Sequence, residues 1–161
     1  MRTIEGTATF DALEPFLEEL AAVSDATDCL IQAVDARYIA GEAHLRKALE
    51  VTRAAIDDGR QIAEDPSIEL LLAIAGTRQI DRALELGIGI GEAAIIVIDG
   101  DREAAAEGQL EAVLTPRDRP ITPDANRIRD WFGITEAELE ATTADLEAVV
   151  CERIALLALE R

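Results

Sequence analysis

Two short segments carry the side chains best suited to bind a ligand. The only histidine, His44, lies in the first turn of a predicted helix that begins near Gly41, and the unpaired N–H groups of such a turn can bind a phosphate. The second segment, Thr77-Arg78-Gln79, lies at a predicted break between two helices. An arginine fork and a glutamine amide can hydrogen-bond a phosphate or an unpaired base. The alternatives are a surface or capping histidine and an Arg78 that only pairs with a neighbouring carboxylate.

Catalytic patterns are missing from the rest of the chain. The two serines lie outside any nucleophile elbow, and neither HExxH nor a P-loop occurs. The glycines of Gly87–Gly91 precede a predicted strand, and Glu92 stands where a dinucleotide-binding loop needs glycine. Cys29 and Cys151 form no CxxC pair, which disfavours a zinc or redox site. We therefore predict a protein that is not an enzyme and has no metal and no cofactor.

The charge of the chain is strongly negative and evenly spread. The formal net charge is -18, and 14 of the 15 basic residues are Arg, with Lys47 the exception. A uniform acidic surface indicates a protein from a cytoplasm of very high salt. There the distance over which charges repel one another shortens to about 3 Å. Such a surface disfavours a nonspecific nucleic-acid binder, which needs a broad basic face, but allows local reading of a few bases. No apolar run is long enough to cross a membrane, so we expect a cytoplasmic protein.

The acidic coat predicts that the protein melts at higher temperature as the salt concentration rises. Lowering the salt from about 1 M to 0.1 M lengthens the screening distance from about 3 to about 10 Å. Repulsion among 33 acidic side chains then reaches neighbouring groups and destabilises the fold. Thermal melts in a series of potassium chloride concentrations measure the effect. A melting temperature that stays constant or falls would contradict the prediction.

The hydrophobic periodicity predicts one α+β domain over residues 1–161. A small central, mostly antiparallel sheet is packed with about six or more helices, and the last helix is long. The predicted strands are Met1–Thr9, Cys29–Val34 and Ala93–Ile98. The predicted helices are Asp11–Val23, Gly41–Asp58, Ile68–Ala75 after an Asp65-Pro66 start, Arg78–Leu86, Arg102–Leu114, one that begins at Thr122-Pro123, and Thr135–Leu159.

The last predicted helix has more apolar residues than one buried face can hold. Ile154, Leu156, Leu157 and Leu159 follow one another closely, and successive helical residues point about 100° apart. Some of these side chains are therefore expected to remain exposed and to bind a partner protein. The alternative is that the end of the helix packs fully inward or frays.

Several blocks of the sequence resemble the tRNA-binding, kinase-associated subunit of the KEOPS complex. The resemblance covers about residues 28–98 and 135–159, whereas residues 100–123 show none. Its two most specific blocks are Gly41-Glu42-Ala43-His44-Leu45 and Thr77-Arg78-Gln79-Ile80. The other blocks are Cys29-Leu30-Ile31-Gln32-Ala33, Ile68-Glu69-Leu70-Leu71 and Glu152-Arg153-Ile154-Ala155-Leu156-Leu157. The acidic coat and the single lysine are similar to those of a halophilic archaeal member.

The resemblance implies a recruiting role without catalysis. Family members bind the small KEOPS kinase-like ATPase directly, partly through the C-terminal helix, and recruit tRNA by its 3′ CCA end. A separate transferase subunit, reached only indirectly, then makes threonylcarbamoyladenosine. The resemblance also places the turn at Thr77 beside the helix that begins near Gly41, so His44, Thr77, Arg78 and Gln79 are the predicted RNA-binding residues. The alternative is a regulator of a kinase or ATPase that acts through protein contacts alone.

Overall fold

The protein has an α+β fold, as predicted, in a computed structural model that describes residues 1–159. A three-stranded antiparallel sheet is accompanied by eight α-helices in these residues. The strands are β1 (Arg2–Thr7), β2 (Leu30–Asp35) and β3 (Ala93–Asp99). The helices are α1 (Leu13–Thr27), α2 (Glu42–Asp57), α3 (Pro66–Ala75), α4 (Ile80–Ala83), α5 (Glu103–Leu110), α6 (Ala125–Phe132), α7 (Glu136–Ala141) and α8 (Leu146–Leu159). None of these helices is long and apolar enough to cross a membrane.

The chain divides into two compact units. One unit comprises residues 1–36 and 87–121, and the other comprises residues 37–86 and the chain from residue 122 onward. The first unit contains the sheet with α1 and α5, and the second contains α2, α3, α4, α6, α7 and α8. The expectation of a single domain over residues 1–161 stays a prediction.

The first unit is built around the apolar strand β3. The strand order is β1-β3-β2 and both pairings are antiparallel, so β3 is the central strand. Ala94 to Asp99 are all buried, as expected for a continuous apolar run that is covered on both faces. Phe16 and Leu20 of α1 and Leu110 of α5 belong to the hydrophobic cluster beside this sheet.

The second unit is a helical cluster in which α2 packs against α3 and α8. The buried helix α3 begins as predicted, because the Asp65 carboxylate accepts a hydrogen bond from the Ser67 N–H at 2.8 Å and Pro66 occupies the first turn. It ends at Gly76, whose φ of +60° is left-handed. A Cβ at Gly76 would come within 2.8 Å of the Phe132 ring. Glycine is therefore required at this position by both conformation and space.

The C-terminal helix α8 is long, as predicted, but it begins at Leu146 and not at Thr135. The sequence predicted one helix over Thr135–Leu159, whereas α7 ends at Ala141 and α8 begins at Leu146. Polar side chains in between bond to the backbone: the Thr142 hydroxyl accepts from the Ala144 N–H at 3.1 Å, and the Asp145 carboxylate accepts from the Ala148 N–H at 2.9 Å. Such local bonds compete with the helical pattern and end it.

Other helix limits also differ from the prediction. The α6 helix begins after Asp124, which caps the Arg127 N–H at 3.1 Å, and not at Thr122-Pro123. The segment Arg78–Leu86 forms only the short α4 and one turn of 3-10 helix over Leu84–Leu86. The remaining predicted helices and strands are found with ends shifted by a few residues, which is the usual uncertainty of a helix end.

Candidate functional site

The start of α2 and the end of α3 lie side by side, as the resemblance implied. The His44 Nε2 atom is 2.9 Å from the Ile74 carbonyl oxygen. The His44 ring also contacts the Phe132 ring edge-on, with 5.6 Å between the ring centroids. The predicted juxtaposition of the Gly41 helix with the Gly76-Thr77 break is therefore confirmed.

His44 lies inside this cluster and not on its surface. Its side chain is fully buried. The Ala40 N–H donates to Nδ1 at 3.2 Å, so the proton is on Nε2 and is donated to the Ile74 carbonyl. Burial lowers the pKa of His44 to about 4, although the bond to Ile74 and the nearby Glu147 charge act in the opposite direction. In this structure the imidazole is a neutral group that joins α2 to the end of α3, and contact of His44 with RNA stays a prediction.

The N-terminus of α2 is occupied by a carboxylate of the same chain. Glu147, on α8, accepts hydrogen bonds from the N–H groups of Ala43 at 2.6 Å and His44 at 3.2 Å. A Cβ at position 41 would collide with this carboxylate. Because Gly41 has no Cβ, it leaves the space that the Glu147 carboxylate occupies. The acid thus takes the position in which the sequence suggested a phosphate, because a helix N-terminus stabilises either anion.

The turn after α3 presents polar side chains to solvent. Arg78 and Gln79 are exposed, whereas Thr77 is buried. The Thr77 hydroxyl accepts from the Gln79 N–H at 3.2 Å, and the Thr77 N–H donates to the Leu72 carbonyl at 3.1 Å. Thr77 therefore shapes the turn, and Arg78 and Gln79 are the members of the predicted set whose side chains a ligand can reach.

A neighbouring groove of about 590 Å³ was not predicted from the sequence. Its polar and aromatic lining is formed by Tyr38, Arg82, Asp124, Asn126, Arg127, Asp130 and Trp131. The rings of Tyr38 and Trp131 meet edge-on with 5.4 Å between their centroids. The Trp131 indole N–H donates to the Ala75 carbonyl at 2.8 Å, and Arg82 donates to the Trp131 carbonyl at 3.2 Å. The groove is therefore anchored beside the Gly76-Thr77 turn.

The four predicted partner-binding residues of α8 divide between core and surface. Ile154 is fully buried in the core, and its role in partner binding stays a prediction. Leu156 is 49% exposed and Leu159 is 81% exposed, whereas Leu157 is half-buried. The helical argument that these side chains cannot all face inward is confirmed. Leu156 and Leu159, which are three residues apart on α8, form what we call the α8 face.

The comparison with protein families identifies the class of protein to which these elements belong. The family model described as "Kinase binding protein CGI-121" matches residues 14–158. The chain therefore belongs to the CGI-121 family of kinase-binding proteins. No curated protein matches the chain significantly.

Proposed function

We propose that this protein is a non-catalytic subunit of the KEOPS complex in the cytoplasm of a halophilic archaeon. In this role it binds the small kinase-like ATPase directly and the threonylcarbamoyl transferase only indirectly. It recruits tRNA by the 3′ CCA end for threonylcarbamoyladenosine modification, without a cofactor or a membrane. The observation that carries the proposal is the family match, which covers nearly the whole chain and names a kinase-binding function.

The α8 face supports the kinase-binding part of the proposal. Leu156 and Leu159 are exposed apolar side chains on the same helix. Large apolar side chains that solvent reaches in a cluster are typical of protein interfaces. Among the described residues, no three His, Cys, Asp or Glu side chains are grouped as metal ligands. The α8 face is therefore the surface that we propose for the kinase partner.

The turn at Arg78 and Gln79 supports the RNA-binding part. Both side chains are exposed, and their turn is held by His44 and Thr77. An arginine stacks on a base or forks onto a phosphate, and a glutamine amide bonds to an exposed base edge. Because the chain carries a net charge of -18, these local contacts must outweigh the general repulsion between protein and RNA. The competing proposal is a kinase regulator that binds no RNA.

Binding of tRNA with and without its terminal CCA, in concentrated potassium chloride, separates the two proposals. Recruitment by the 3′ end requires binding that is lost when CCA is removed. The salt dependence of that binding should correspond to about one to three phosphates, because base contacts dominate. Kinase binding without any tRNA binding would favour the protein-only regulator.

Replacing Arg78 with alanine is expected to weaken binding of CCA-bearing tRNA by about 1–3 kcal/mol. The substitution removes a guanidinium from an exposed turn and should leave the fold and kinase binding unchanged. Filter binding or anisotropy with labelled tRNA measures the change. The matched control is Arg60→Ala, which removes an exposed arginine paired with Asp58 beyond the C-terminal end of α2. Equal losses in both variants would show that only general charge matters.

A further inference from the structure

Over its described length, Leu146–Leu159, the helix α8 exposes a single charged residue. Its exposed residues are Ala148, Glu152, Leu156 and Leu159. Neighbours in this series are three or four residues apart, so they lie no more than about 60° from one another around the helix axis. The four residues therefore share one side of α8, and Glu152 is the charged member of the group.

This side of α8 differs from the surface of the rest of the second unit. Charged residues make up 30% of the sequence. The helix α2 exposes five of them, which are Glu42, Arg46, Glu50, Arg53 and Asp57. Depletion of charge is typical of the centre of a protein interface. A carboxylate that remains among exposed alanine and leucine side chains therefore needs an explanation in the interface itself.

The carboxylate of Glu152 is not neutralised within residues 1–159, where it takes part in no ion pair. The adjacent Arg153 is already engaged, because its guanidinium donates to both carboxylate oxygens of Glu138 at 2.7 and 2.8 Å. That pair joins α7 to α8. It also lies on another side of the helix, since successive residues point about 100° apart. In the free protein the Glu152 charge is therefore stabilised by water alone.

A partner that covers the α8 face must also change the surroundings of Glu152. Leu156 lies four residues after Glu152, and side chains at this spacing are neighbours on a helix. Removing a carboxylate from water is costly unless an opposite charge contacts it. In concentrated salt the attraction between charges extends over only about 3 Å. A cation of the partner compensates the carboxylate only if the two groups touch.

We propose that the kinase partner places an arginine or lysine side chain against Glu152, next to an apolar surface that receives Leu156 and Leu159. The inference rests on the proposed function, because it takes the α8 face as the kinase-binding surface. The ion pair makes Glu152 a specificity-determining residue. It fixes the direction in which the partner lies along α8, and it excludes proteins that would place an apolar or acidic group at this position.

Calorimetry with the small kinase-like ATPase in concentrated potassium chloride tests the ion pair. Glu152→Gln keeps the shape of the side chain and removes its charge, and we expect about tenfold weaker binding. Glu152→Arg places two cations together and should weaken binding by about 100-fold or more. The matched control is Glu18→Gln at an exposed glutamate of α1, which should bind as the wild type does. Wild-type affinity in both Glu152 variants would overturn the inference.

Charge reversal on the kinase identifies the other member of the pair. Its arginine and lysine residues are changed to glutamate one at a time, and each variant is measured against the wild type and against Glu152→Arg. One reversal should weaken binding to the wild type and strengthen binding to Glu152→Arg by about tenfold or more. If every reversal leaves the Glu152→Arg affinity unchanged, the proposed ion pair is wrong.

The same measurements separate a failure of the ion pair from a failure of the proposed function. Loss of kinase binding in Leu156→Asp, together with unchanged binding in Glu152→Gln and Glu152→Arg, would overturn the ion pair and leave the α8 face as the interface. Absence of kinase binding in the wild type would overturn the proposed function and the ion pair together. Circular dichroism should show unchanged helical content in all these variants, because Glu152 and Leu156 are exposed.

Discussion

A Leu156→Asp substitution is expected to abolish binding of the kinase partner, with a loss of affinity of at least about 100-fold. Leu156 is 49% exposed on α8, so the aspartate is hydrated in the free protein and the fold is retained. In the complex the carboxylate would be buried against an apolar surface without a partner, which costs about 3 kcal/mol or more. Co-purification and calorimetry with the small kinase-like ATPase measure the effect.

The control for this prediction is the same change at a similarly exposed leucine. Leu17 of α1 is 47% exposed, and Leu17→Asp should bind the kinase as the wild type does. Circular dichroism should show unchanged helical content in both variants. Leu157→Asp alters the half-buried leucine beside this face and tests the predicted role of Leu157 separately. Undiminished kinase binding by Leu156→Asp and Leu157→Asp together would refute the assignment of the α8 face.

The local signals of the sequence predicted most of the fold. The apolar run at β3 specifies a central strand, and Asp65-Pro66 with Gly76 specifies both ends of α3. These features succeed because they depend on a few adjacent residues. The break between α7 and α8 was missed although Thr142 and Asp145 are cap-forming residues. The capping box at Thr135 and the apolar sequence of α8 indicated one continuous helix and obscured that polar signal.

The candidate site was predicted less well, because it depends on contacts between distant segments. His44 and Leu45 are adjacent and both buried. Sequence position alone does not show that the ring nitrogens of His44 find hydrogen-bond partners inside the core. The carboxylate of Glu147 reaches the α2 N-terminus from more than 100 residues along the chain. Likewise, Tyr38 and Trp131 meet only after folding. Their rarity in the sequence was the one signal that could have drawn attention to them.

The acidic coat limits how the RNA binding that we propose can arise. In the RNA binding that we propose, a net charge of -18 means that attraction to the phosphate backbone cannot supply most of the affinity. Stacking and hydrogen bonds to bases do not depend on net charge in this way, and they are screened little by salt. The proposed binding therefore depends on a few local contacts, such as those offered by the exposed side chains of Arg78 and Gln79.

Acidification from pH 7 to pH 5 is expected to destabilise the protein by about 2 kcal/mol through His44 alone. Burial lowers the pKa of His44 from 6.5 to about 4, so the unfolded chain takes up a proton that the folded protein excludes. The stabilisation from the neutral imidazole is fully present above pH 6.5 and is lost progressively as the pH falls. At pH 4 the loss amounts to about 3 kcal/mol. Urea unfolding in concentrated potassium chloride at several pH values measures the slope.

A non-titrating variant isolates this contribution from that of the many carboxylates. His44→Gln keeps an amide N–H that can donate towards the Ile74 carbonyl but cannot take up a proton. Its free energy of unfolding should therefore change less between pH 7 and pH 5 than that of the wild type, by about 2 kcal/mol. Because His44 is the only histidine, its imidazole signals in an NMR titration of the wild type need no assignment. A titration midpoint near 6.5 in the folded protein would show that the ring is hydrated, and the link between α2 and the end of α3 would then not depend on a neutral imidazole.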